Sequence, residues 1–236
     1  MLELPENTFL EHLEALRWCL LRCLFAVAIA FIPGYLLAPE LLSFLLRFCL
    51  PAELLPLNYF SPLEVFLVQL KLGGILAIFI ASPYIAWQVW SFLLPALYAK
   101  ERWALQLWLG WATVLFLAGA GFCLVTVLPL LLKFSAGFAG TELRPMLGLA
   151  NFQHLAGILL FSFGLMFQAP LAVLLCVRFK LLSCATLSHS RPYIIVGILM
   201  LSAVLTPPDV LSQLLLALPT WLLFELALGL AKYCKL

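Results

Sequence analysis

Residues 191–219 read RPYIIVGILMLSAVLTPPDVLSQLLLALP, two apolar runs joined by the turn-forming residues TPPDV at 206–210. Proline cannot continue a helix and aspartate caps the start of the next one, so these five residues predict a tight turn between two helices. The runs are continuously apolar, whereas the strands of a transmembrane β-barrel alternate between apolar and polar residues. The stretch therefore predicts a helical hairpin within a membrane.

The composition of the whole chain agrees with a membrane location. Of 236 residues 65% are hydrophobic and only 10% are charged, and the mean hydropathy is +1.14. These values exclude a soluble globular domain and predict one integral membrane domain over residues 1–236. A net charge of +2 without a basic run gives no reason to expect nucleic-acid binding. The acidic N-terminus lacks the basic region of a removable signal peptide.

Six segments are candidates for membrane-spanning helices, each of which needs about 20 apolar residues. The predicted spans are 18–38, 65–94, 104–132, 152–177, 193–205 and 211–231. The fifth is short, because only 14 residues lie between Pro192 and Pro207. Pro219 is expected to interrupt the sixth, so the last two helices are both expected to be short. Pro39 to Glu64 is expected to form short helices on the outer face.

Lysine and arginine residues predict the orientation. Nine of them fall on the side that holds both termini and four on the other side. Because cytoplasmic loops carry the excess of positive charge, the N- and C-termini are predicted to be cytoplasmic.

Four glutamates lie at predicted cytoplasmic ends of apolar segments: Glu11, Glu14, Glu101 and Glu225. Acidic residues beside lipid are costly, and here they lie on the side that normally gathers positive charge. The first two could simply complement the dipole at a helix start, and Glu101 could pair with Arg102 in a loop. Alternatively, the four carboxylates form a surface that receives a cationic ligand.

Polar residues inside the apolar segments also have two interpretations. Gln168 could satisfy the Met166 carbonyl that Pro170 leaves without a partner, or it could face a concave pocket between helices. Asp209 could serve only as a helix cap. Polar groups within lipid could instead hold a partner helix, which gives Thr206 and Gln213 a docking role.

Catalytic and metal-binding motifs are missing from the sequence. It contains no G-x-S-x-G, no H-E-x-x-H and no phosphate-binding glycine loop, and its seven cysteines have no zinc-like spacing. We therefore expect no enzyme activity, no metal and no cofactor.

These motifs together resemble the TatC family, the core subunits of the twin-arginine protein translocase. The resemblance extends in order over nearly the whole chain. It is carried by HLE at 12–14, LR at 16–17, SPLE at 61–64, QVW at 88–90, ER at 101–102, FG at 163–164, RPY at 191–193 and LTPPD at 205–209.

The resemblance implies six helices in a concave, glove-like bundle in the bacterial inner membrane. It also implies a subunit of a Sec-independent translocase, driven by the proton gradient, that binds twin-arginine signal peptides of folded cargo. Such a subunit nucleates assembly with the single-span proteins TatA and TatB and self-associates in the receptor complex.

The resemblance further implies which residues bind. The signal-peptide-binding residues would be Glu14, Arg17, Phe92, Glu101, Arg102 and Gln168. The partner-helix docking residues would be Thr206, Asp209 and Gln213. A separate group of supporting residues would be Glu11, Pro95 and Glu225, the last as part of the cytoplasmic carboxylate surface.

Two positions depart from the family pattern. The glutamate that usually precedes Leu-Arg is Ala15 here, and Glu14 lies one residue earlier, which turns its side chain by about 100° around the helix. The usual intramembrane glutamate is replaced by Gln168, which cannot titrate.

The sequence leaves two other functions open. One is a proton-coupled small-molecule transporter that uses Glu11, Glu14, Gln168 and Asp209, and the other is an assembly factor that binds membrane helices.

Overall fold

The computed structural model is almost entirely helical over the residues it describes, which are 6–51, 57–93, 102–137, 147–178, 182–206 and 210–233. The helices are α1 (Glu6–Cys49), α2 (Glu64–Leu93), α3 (Arg102–Phe122), α4 (Leu128–Gly137), α5 (Leu149–Met166), α6 (Ala169–Arg178), α7 (Cys184–His189), α8 (Arg191–Leu205) and α9 (Val210–Tyr233). In this part of the chain, five helical stretches are long and apolar enough to cross a membrane, and α8 is a shorter sixth. The all-helical membrane fold is confirmed.

The third and fourth spans each consist of two helices in line. Between α3 and α4 the chain forms a π-helical turn at Cys123–Val127, immediately before Pro129, which has no N–H for an ordinary helical bond. Between α5 and α6 the helix breaks at Phe167 and Gln168, just before Pro170. Each break thus lies within a turn of a proline that supplies no backbone donor.

The first helix is longer than predicted. Instead of ending near residue 38, α1 continues through Pro33 and Pro39 to Cys49, so the expected short outer helices are wrong for this part of the segment. Beyond Pro39, Leu45 and Cys49 are fully buried in the main apolar core, and the Cys49 thiol donates to the Leu124 carbonyl at 3.7 Å. These contacts offset the hydrogen bond that each proline removes.

The last helix is continuous, which corrects a second expectation. With 24 residues through Pro219, α9 is neither interrupted nor short, whereas α8 has 15 residues, as expected. The buried Thr220 hydroxyl donates to the Leu216 carbonyl at 2.8 Å, one turn back. The hydroxyl thus bonds the carbonyl next to that of Leu215, which is the carbonyl that loses its backbone donor to Pro219.

The first two spans cross at backbone contact. A Cβ atom on Gly34 would lie 2.6 Å from the Gly73 carbonyl oxygen, and one on Gly73 would lie 2.9 Å from the Cα of Tyr35. Small residues that let backbones approach are typical of helix crossings in membranes. The α1–α2 pair is therefore held by a glycine-to-glycine contact.

The beginnings of α2 and α5 are tied together by hydrogen bonds. The Glu64 carboxylate accepts from the Ala150 N–H at 2.9 Å and from the Phe60 N–H at 2.6 Å. Nearby, the Asn58 N–H donates to the Leu147 carbonyl at 3.2 Å. One carboxylate thus satisfies backbone donors at the start of two helices.

The core centres on α5. Phe152, Leu159 and Phe163 are fully buried, and they belong to the cluster that also takes in α1, α4 and α9. This packing leaves both ends of the bundle to carry polar residues.

Candidate recognition surfaces

The N-terminal residues predicted to bind a signal peptide lie in the first turns of α1. Glu14 and Arg17 are both exposed and are one turn apart on this helix. Glu11 also lies in α1, but its side chain is outside the described part of the structure. Because α1 runs without a break into the first span, Glu14 lies at the start of Leu13–Cys49, the stretch that is long and apolar enough to cross a membrane.

The second predicted group is described only in part. Phe92 is half-buried near the end of α2, and Arg102 is the first residue of α3. Pro95 and Glu101 lie outside the described residues, as does the side chain of Arg102. Residues 94–101 connect the end of α2 to the start of α3 along the chain.

Gln168 takes neither of its two predicted roles in full. Its amide Nε2 donates to the carbonyl of Ala112 on α3 at 2.9 Å, so it does not bond to the Met166 carbonyl. The side chain is half-buried in the turn between α5 and α6. Gln168 therefore ties that break to a neighbouring helix with a neutral hydrogen bond.

The predicted docking residues lie on the α8–α9 hairpin. Thr206 is buried and its hydroxyl donates to the Ser202 carbonyl at 2.8 Å. The amide of Gln213 donates to the Leu199 carbonyl at 3.1 Å, which links the two helices near their turn. Asp209 lies outside the described residues. Both described donors are thus used within the chain.

Glu225 forms an ion pair that the sequence analysis did not anticipate. Arg191, at the start of α8, donates through Nη2 to Glu225 Oε2 on α9 at 2.8 Å, and the two side chains are 44% and 28% exposed. Because the two residues are 34 positions apart, no local sequence pattern indicates that they form an ion pair. The only available indication was that an arginine and a glutamate occupy the matching open ends of a helical hairpin.

We predict that this ion pair contributes to the stability of the hairpin. Arg191→Glu and Glu225→Arg should each lower the free energy of unfolding by about 1 kcal/mol, because each leaves two like charges together near the membrane. The double swap should recover most of the loss. Unfolding of the purified protein in detergent measures all three, and a double variant as weak as the sum of the singles would contradict the coupling.

Contacts between helix ends sort these residues onto two sides of the bundle. The Arg178 guanidinium at the end of α6 lies 5.9 Å from the Trp108 ring near the start of α3, and the Arg191–Glu225 pair joins α8 to α9. Because α1 and α2 run antiparallel, Glu14 near the start of α1 lies on the same side as these contacts. We call this the N-terminal side of the bundle. The Glu64–Ala150 contact and Thr206 lie on the opposite side.

The fold and these surfaces define a multi-span helical membrane protein with an ion pair between helix ends on its N-terminal side. The family model "Sec-independent protein translocase protein (TatC)" matches residues 11–219. This chain belongs to the TatC family.

Individual relatives agree over nearly the full length. The protein of that name from Carboxydothermus hydrogenoformans is 35% identical over 229 residues, which cover 97% of this chain and 94% of the relative. The one from Escherichia coli K12 is 32% identical over 95% of this chain and 88% of its own length. A crystal structure of the twin-arginine translocase receptor TatC in DDM matches with a TM-score of 0.83 and 31% identity, over 93% of this chain and 98% of that one.

Proposed function

We propose that this chain is the receptor subunit of a twin-arginine translocase, which binds paired arginines of signal peptides on its N-terminal side. Membership of the TatC family supports the class of activity. The observation that carries the binding site is the exposed Glu14 carboxylate at the membrane entry of α1. The ion pair that the described residues form joins Arg191 to Glu225 and leaves Glu14 out.

The chemistry of the proposed contact favours arginine over lysine. A guanidinium group binds a carboxylate through two parallel hydrogen bonds, and an ammonium group cannot reproduce that geometry. Glu101 is the second proposed acid, supplied by the connection between α2 and α3. Arg17, Phe92 and Arg102 would border the site, with Gln168 as a neutral polar group deeper in the bundle.

The proposed orientation places the N-terminal side in the cytoplasm of a bacterial inner membrane. Arg17, Arg102, Arg178, Arg191 and Lys232 all belong to helix ends on that side, which agrees with the excess of positive charge on cytoplasmic faces. A signal peptide from the cytoplasm would meet Glu14 first.

We propose the α8–α9 hairpin as the docking site for the single-span partners TatA and TatB. On α8, Tyr193, Val196, Met200 and Val204 are exposed at helical spacing, which gives an apolar stripe for a partner helix. Because the Thr206 hydroxyl donates within the chain, its oxygen would accept a bond from a partner, whereas Gln213 retains its amide oxygen and a second N–H for such a bond. Asp209 is the third proposed docking residue.

Site-specific photo-crosslinking tests the receptor function. A photoreactive residue in place of Trp18, which is exposed one turn from Glu14, leaves the carboxylate intact. In inverted inner-membrane vesicles, a signal peptide with paired arginines should crosslink strongly. The same peptide with paired lysines should crosslink at least about fivefold less, since it loses a bidentate contact worth about 1 kcal/mol or more.

A photoreactive residue at Phe60 is the matched control, because this exposed aromatic residue lies on the opposite side. It should give no crosslink in inverted vesicles. Equal yields for the two peptides would contradict arginine selectivity, and yields at Phe60 but not at Trp18 would contradict the orientation.

The transporter alternative finds no support in the described structure. Gln168, which the relay would use inside the bundle, carries no titratable proton and is hydrogen-bonded to a backbone carbonyl. A proton relay through this position would need an acid.

A further inference from the structure

A groove of about 870 Å³ runs along the crossing of α1 and α2 on the N-terminal side. Its described lining is mostly apolar and includes the small residues Ala26, Ala30 and Ala81. Arg22 is the one charged residue in that lining. The groove is therefore apolar along its length, with one cationic residue, Arg22, near its N-terminal end.

Its length fits one leaflet of a bilayer. From Arg22 to Pro33, which also lines the groove, the helix rises about 16 Å at 1.5 Å per residue. Half of a hydrocarbon core of about 30 Å is about 15 Å. An acyl chain whose polar end lies at Arg22 would thus reach the bilayer midplane at the far end of the groove.

The cationic end is equipped for a phosphate group. Arg22 is exposed, and guanidinium groups bind phosphate oxygens bidentately. Trp18 and Tyr84, which also line the groove, are residue types that favour the headgroup level. The Tyr84 hydroxyl accepts from Gln88 Nε2 at 2.8 Å, which leaves its own proton to donate to an acceptor.

Other charges near this end lie outside the groove. Arg17 and Glu14, both exposed, precede Arg22 by about 7 Å and 12 Å along α1, toward the water. A partner helix in the groove would have to carry an acidic residue placed opposite Arg22. A lipid carries its negative charge at the headgroup level and supplies an apolar tail.

We propose that the α1–α2 groove binds an acidic phospholipid, with its phosphate on Arg22 and one acyl chain along Ala26, Ile29, Ala30 and Pro33. This site adjoins the proposed signal-peptide surface at Trp18, but the proposal does not depend on the proposed function. It makes a lipid of the leaflet on the N-terminal side a structural ligand of the α1–α2 pair.

Quenching of Trp18 fluorescence by brominated lipids tests the proposal. The purified full-length protein in phosphatidylcholine nanodiscs is compared with its Trp18→Phe counterpart, and the difference isolates Trp18. Phosphatidylglycerol with brominated chains should quench Trp18 at about fivefold lower content than brominated phosphatidylcholine, as expected for one basic residue at a membrane surface.

The ratio of the two lipid contents that give equal quenching, phosphatidylcholine to phosphatidylglycerol, is expected to be about five. Arg22→Gln should reduce this ratio to about one, whereas Arg47→Gln should leave it unchanged. Arg47 is an equally exposed arginine at the far end of α1, so its loss controls for net charge. A ratio of one in the wild-type protein would overturn the proposal without recourse to any variant. So would a preference that survives Arg22→Gln, or the absence of quenching together with crosslinking of a photoreactive residue at Ile29 to a second protein chain.

Discussion

Gly73→Ala is expected to lower the free energy of unfolding by about 2 kcal/mol, in the range for overpacked cores. The added Cβ would lie 2.9 Å from the Cα and 3.1 Å from the backbone nitrogen of Tyr35. Since both are backbone atoms, the contact cannot be relieved by a rotamer change, and α1 must move away from α2. Detergent unfolding followed by circular dichroism measures the effect.

Gly74→Ala is the matched control for this prediction. The neighbouring glycine has open space where a Cβ would stand. Within a helix, alanine is favoured over glycine, so this variant should be stabilised by up to about 1 kcal/mol. Equal effects at the two positions would show that the α1–α2 crossing is looser than the backbone contact implies.

Glu101→Ala is expected to weaken binding of a twin-arginine peptide by about 30-fold, equivalent to about 2 kcal/mol for a lost charge-assisted hydrogen-bond pair. Glu14→Ala should cost only about fivefold. The reason is register: Glu14 lies one residue from the usual position, so its carboxylate is turned by about 100° around α1. Titration of labelled signal peptide against the purified protein gives both affinities.

Comparable losses for the two variants would contradict this ranking. Glu40→Gln provides a control, because this exposed acid lies toward the far end of α1, away from Glu14, and its removal should change peptide affinity little. Moving the acid in the double variant Glu14→Ala, Ala15→Glu should raise affinity above that of Glu14→Ala if register is the cause.

Most of the helices could be predicted from local sequence, because an apolar run of sufficient length has no stable alternative to a helix inside a bilayer. The errors occurred at prolines. Pro39 and Pro219 were expected to end or interrupt helices, yet α1 and α9 continue through them. In the first case Leu45 and Cys49, which follow the proline, are buried in the main core; in the second case Leu216 and Phe224, on either side of Pro219, are buried. Packing of this kind cannot be read from the position of a proline alone.

For the candidate site too, some features could be predicted from local sequence and others could not. The position of Glu14 at a membrane entry follows from sequence, since it precedes an apolar span. The partners of Gln168 and Glu225 do not, because Ala112 and Arg191 are 56 and 34 residues away along the chain. Such pairings arise only when helices pack side by side.

The sequence by itself determined that this chain is a helical membrane protein, through the turn at 206–210 and the apolar runs on either side of it. The tertiary structure alone decided that Arg191 and Glu225 close the open end of that hairpin, that Gly34 meets Gly73, and that Arg22 stands at the end of a groove. The physical reason is that hydropathy and helix termination act over one or two turns of chain. Which side chains meet depends on how helices cross, and that is set by packing among distant residues.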